Sequence, residues 1–111
     1  MTVTLCTAAQ ALLAIGQNAS ATQILEANTT IWINMAESLM STDVDYDLVT
    51  NIGEFSDYQK QTLALAASSK AAMSGINQNQ NSWQLATAQS KLNVLDSLYK
   101  ESMEIIRKFA K

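Results

Sequence analysis

Apolar residues recur three and four positions apart from Ile24 onward: Ile24, Ala27, Ile31, Met35 and Leu39, with Leu25 and Trp32 beside them. A period of 3.6 predicts an amphipathic helix whose core face carries these side chains. Ser20-Ala-Thr-Gln23, just upstream, has the spacing of a capping box. In that motif the serine oxygen and the glutamine side chain satisfy each other's orphan backbone donors, so the helix should open there and run to about residue 40. Before it, Thr7 can cap a short helix over residues 8–15, stopped by Gly16. After it, Ser56-Asp-Tyr-Gln59 repeats the capping box and opens a helix over about 57–74, with Gly75-Ile76 as its stop. The apolar content of this third helix is small-sided, with Ala64, Ala66, Ala67, Ala71 and Ala72 beside Leu63, Leu65 and Met73. Small side chains let a second helix approach closely, which dispersion favours.

The polar connector Asn77-Gln-Asn-Gln-Asn81 reads as a loop, and Ser82 can cap a final helix over about 83–109. Leu85, Ala88, Leu92, Leu95, Tyr99, Ser102, Ile106 and Phe109 form a coiled-coil-like seam interrupted by the serine, with Leu98 and Ile105 alongside. Arg107, Lys108 and Lys111 complement the dipole at its end. A helix of that length is about 40 Å long. It exceeds the core of a domain this size, so part of it is expected to project or to pack against another subunit. The pattern therefore predicts an all-α chain: one domain over 1–111, a small bundle of four to five helices with a long C-terminal one.

Composition changes that picture in one respect. Charged residues are 15% of the chain, below the usual quarter, while Ser, Thr, Asn and Gln number 11, 10, 8 and 9. A dispersed monomer usually keeps itself in solution with charge. A surface of amides, hydroxyls and alanines suits burial against copies or partners, so homo-oligomerisation is expected. The charge is also uneven. Residues 1–59 hold seven acids and no base, and residues 60–111 hold seven bases and three acids. One half can attract the other, within a molecule or between neighbours. The expected interface residues are Trp32 and Trp83, the small Ala67 and Ala71, and Leu95, Tyr99, Ile106 and Phe109 of the last helix.

Candidate chemistry is sparse. The chain has no histidine and a single cysteine, Cys6, which argues against disulfides, most zinc sites and Ser-His-Asp or Cys-His catalysis. No run is long enough for a membrane span, and no basic region precedes an apolar core at the N-terminus, so the chain reads as made and used without secretion. One stretch raises a metal question. Counted from Asp43, the carboxylates of Asp43, Asp45, Asp47 and Glu54 fall at positions 1, 3, 5 and 12, with Asn51 at position 9. That is most of the spacing of a helix–loop–helix calcium loop. Such a loop needs glycine at position 6, where this chain has Leu48. Leu48, Val49, Ile52 and Phe55 instead recur at helical spacing, predicting a short amphipathic helix over 46–54. Asp43, Asp45 and Asp47 are then an acidic surface that caps its first turn. Neither catalytic, cofactor nor metal residues are assigned, and the chain is read as a non-enzyme.

The helix order resembles that of the head-to-tail adaptor (connector) proteins of tailed bacteriophages. The likeness rests on Ile24-Leu-Glu-Ala-Asn-Thr-Thr-Ile-Trp-Ile-Asn-Met-Ala-Glu37, followed by the acidic turn, and on Trp83-Gln-Leu-Ala-Thr-Ala-Gln-Ser-Lys-Leu-Asn-Val-Leu95. The resemblance implies a virion structural protein in the neck, assembled in the host cytoplasm as a twelve-membered ring. Its partners would be further copies, the portal, and tail or neck proteins. It would meet DNA only as the genome passing through a channel, and no membrane. Sparse charge is a departure, since channel linings of this kind are expected to be clearly acidic. The residues leave two alternatives open: a helical protein-binding module, such as a regulator or chaperone, and a calcium-dependent switch on residues 43–54.

Overall fold

A computed structural model of the chain describes residues 4–15, 26–78 and 85–110. The fold is all-α. Among the described residues four α-helices follow in order: α1 (Ala8–Ile15), α2 (Glu26–Val44), α3 (Asp57–Gln78) and α4 (Leu85–Phe109). A short 3-10 turn, Ile52–Glu54, lies between α2 and α3. The predicted opening of the second helix at Ser20, and Trp83, lie outside the described residues.

Helix α3 is the hub. It packs most extensively on α4, then on α2 and α1, while α2 and α4 barely meet. Leu63, Ala66, Ala67, Ala71, Ala72 and Ile76 are all fully buried. A helix covered on several sides needs small residues where its neighbours come closest, and here the alanines serve the chain's own bundle. Reciprocal hydrogen bonds open the helix: Gln59 N–H donates to Ser56 Oγ at 3.2 Å and Ser56 N–H to Gln59 Oε1 at 2.8 Å. The same box opens α1, where Thr7 and Gln10 exchange bonds of 2.8 and 3.1 Å. The predicted stop at Gly75 is not used. The helix continues to Gln78, with Gly75 buried inside it. Glycine costs a helix about 1 kcal/mol relative to alanine. Seating Ile76, fully buried, in the core offsets that cost.

The core face of α2 also differs from the expected one. Thr29, Trp32, Ile33, Ala36, Glu37 and Met40 face inward, while Ile31, Met35 and Leu39 are exposed. Both arcs are apolar at helical spacing, so periodicity alone cannot choose between them. Trp32 lies on the inward arc, where its large area is removed from water. The helix runs past residue 40 to Val44, where it ends in a Schellman motif. Tyr46 N–H donates to Ser41 C=O at 3.1 Å and Asp45 N–H to Thr42 C=O at 3.3 Å. Asp45 takes the left-handed position, φ 54°, that glycine usually fills.

Residues 46–54 form turns rather than the predicted short helix, yet their apolar pattern faces as expected. Leu48 and Phe55 are buried, and Val49 and Ile52 pack against the core. Phe55 bridges Tyr46 and Phe109 edge to face, with centroids 6.4 and 5.4 Å apart. Helix α4 runs antiparallel to α3, as the Lys70–Tyr99 and Phe55–Phe109 contacts show. Its 25 residues span about 37 Å. The molecule measures 40 × 27 × 21 Å, so α4 is nearly as long as its longest dimension. Ser102, which interrupts the seam, is buried and donates to its own helix at Leu98 C=O, 2.7 Å away.

Candidate functional site

The expected interface residues lie mostly inside the bundle. Trp32, Ala67, Ala71, Leu95 and Ile106 are buried, and Tyr99 and Phe109 are half-buried against the same core. Close helix packing within one chain has covered the five buried ones, while Tyr99 and Phe109 keep part of their surface.

The acidic turn is divided among separate tasks. Asp43 sits in the last turn of α2, the negative end of the helix dipole, where a carboxylate is disfavoured. Arg107 offsets this by a two-pronged contact: Nε donates to Oδ1 at 3.1 Å and Nη2 to Oδ2 at 2.7 Å. Hydrogen bonding to Asp43 raises the pKa of Arg107 further. Asp47 accepts from Thr50 N–H at 3.0 Å and from Thr50 Oγ1–H at 2.7 Å. These bonds hold its pKa below the ordinary aspartate value. Glu54 accepts from the Tyr46 hydroxyl. Asp45 is exposed and ends α2. Among the described residues no three acids or thiols converge as cation ligands. The calcium spacing thus resolves into an ion pair, a turn cap and a tyrosine contact.

Glu37 is a functional group that pattern reading missed. It is buried, and its Oε2 accepts from both Thr4 N–H and Leu5 N–H at 2.7 Å. The segment before α1 is thereby tied to the middle of α2. The signal was available in position: Glu37 shares the Ile33–Met40 arc, a charge in line with apolar neighbours. Beside it lies an open concavity of about 680 Å³, bordered by Glu37, Asn34, Ser38, Thr42, Asp45 and Asp47 among others. Cys6, next to the tether, is buried, and its thiol is pushed up to about 12, first by burial and then by the Glu37 charge.

The face left uncovered is on α2. Ile31, Met35 and Leu39 are 45%, 52% and 49% exposed, and Ser38 and Thr42 share their arc. From Thr30 to Thr42 the one charged residue is Glu37, and it points inward. The outer face of α2 over this stretch therefore carries large apolar groups and neutral polar ones, with no charge. Such a face costs free energy in water and gains it when covered. Comparison with protein-family models, curated proteins and solved structures found no match to the chain.

Proposed function

We propose that the chain is a non-enzymatic structural subunit that works by associating with copies of itself, as a head-to-tail adaptor in the ring between portal and tail of a virion neck. The observation that carries this reading is the uncharged α2 face, with three large apolar side chains about half exposed on a helix whose opposite face already fills the core. A helix with apolar residues all round is ordinarily buried on every side. Here one side lacks its cover. Low overall charge and the acidic and basic halves of the chain support the same reading. So does the resemblance of its helix order to phage adaptors, from which the ring and its place in the virion are taken.

Light scattering together with negative-stain images of the purified chain tests the proposal. Closed rings of uniform copy number are expected. A chain that stays at 12.1 kDa at every concentration contradicts the proposal and favours the helical binding module.

A further inference from the structure

We infer that the concavity beside Glu37 binds a linear polyamine, an extended cation whose ammonium groups are separated by methylene chains. This site is separate from the exposed Ile31–Met35–Leu39 line and does not depend on how that line is covered. Its volume, about 680 Å³, falls in the usual range of small-molecule sites, about 300–1,000 Å³. Most such sites are lined by apolar groups. This one is lined mainly by carboxylates, hydroxyls and an amide, with Tyr46 and Val49 as its apolar wall.

The lining selects a hydrogen-bond donor. Asn34 Nδ2–H donates to Thr30 C=O at 2.9 Å, Thr42 Oγ1–H to Ser38 C=O at 2.8 Å, and the Tyr46 hydroxyl to Glu54. With those donors spent within the chain, what the three side chains still offer is acceptor oxygen. Glu37 is only 4% exposed, and both of its hydrogen bonds, from Thr4 N–H and Leu5 N–H, go to Oε2. Among the described residues no donor meets its Oε1. A carboxylate oxygen left unmet in so buried a place costs free energy. A donor entering from the concavity removes that cost. An ammonium group, which donates and never accepts, has the matching chemistry.

Charge and its spacing narrow the ligand further. Glu37, Asp45 and Asp47 line the space, and no Lys or Arg does. Arg107 is held on Asp43, which lies outside the lining. Bonds from Thr50 keep Asp47 ionised, with its pKa below the ordinary value. These acids do not converge on a point, since among the described residues no three acids or thiols could hold a metal ion. Asp45 lies eight positions beyond Glu37, about 12 Å along the helix axis. Acids so spread suit a cation whose charges are spread as well. One ammonium at Glu37 and another at Asp45 and Asp47 would leave the linking methylenes against Tyr46 and Val49.

Isothermal titration calorimetry of the full chain with spermidine tests the site. Saturable one-to-one binding is expected, and it should weaken as salt screens the exposed Asp45 and Asp47. Asp45→Asn should weaken binding several-fold; asparagine tolerates the left-handed backbone there, so the fold is kept. Ser38→Lys, at an exposed helix position on the lining, should abolish binding by placing a tethered ammonium in the same space. Glu101→Gln removes an exposed acid of α4 outside the lining and should leave the affinity unchanged. No saturable heat up to millimolar spermidine, binding that survives Ser38→Lys, or equal effects of Asp45→Asn and Glu101→Gln would overturn the site. Mg2+ or Nα-acetyl-lysine amide binding as tightly as spermidine would overturn the extended ligand, because a single charge would then suffice.

Discussion

Glu37 keeps its carboxylate out of water because two backbone donors meet it there. Replacing it by alanine leaves the buried N–H of Leu5 without its acceptor, a cost of about 1–3 kcal/mol, and turns the more exposed N–H of Thr4 over to water. We expect Glu37→Ala to lower the urea midpoint and to speed amide exchange at Leu5, and Glu37→Gln, which keeps an acceptor, to do so less. Exchange at Leu5 unchanged in the alanine variant would contradict the tether. Cys6 makes a second prediction, with its sign set by linkage. Its thiol stays protonated in the fold up to about pH 12, whereas in the unfolded chain it titrates near 9.0. The stability it contributes is complete below about pH 9 and is lost as pH rises toward 12. Urea titrations of wild type and Cys6→Ala should therefore diverge above pH 9, with wild type falling faster. Parallel curves would remove the burial argument. The native thiol should also resist a disulfide reagent that the urea-unfolded chain consumes.

At the scale of elements, α3 and α2 respond oppositely to changes in size. Ala71 is fully buried on the hub helix, so Ala71→Leu forces a larger side chain into a closed space, at about 1–3 kcal/mol. Leu39→Ala removes as many atoms as Ala71→Leu adds, yet it should change stability by less than about 0.5 kcal/mol, because Leu39 is half exposed and lies outside the core. Thermal melts of the two variants check the contrast, and a large loss in Leu39→Ala would mean that α2 turns its other face inward. The same helices show what sequence alone conveys. The Ser56–Gln59 box is local chemistry, complete within four residues, and it opens α3 where its spacing says. Gly75 is also a local signal, but whether the helix stops there depends on the burial of Ile76. Helix α2 carries two apolar arcs, and the choice of the Trp32–Met40 arc was made by partners outside the segment. For that reason the fold class was legible from spacing, while the residues left for a partner were not. The large or closely fitting residues that looked suited to an interface, such as Ala67, Ala71 and Ile106, are the ones a single chain covers first.

At the scale of the molecule, the acidic and basic halves meet through Asp43 and Arg107, which join the end of α2 to the end of α4. Among the described residues the second ion pair, Asp96–Lys100, lies along α4 itself. Internal pairing therefore leaves Asp45, Asp47 and Lys108 to face the surroundings. Assembly would cover the α2 face. Sedimentation equilibrium of the wild-type chain beside Leu39→Asp tests most directly whether the α2 face drives association. Wild type should sediment as a multiple of 12.1 kDa and the variant at 12.1 kDa, with the same helix content. Equal masses for the two, whether both single or both assembled, would contradict it.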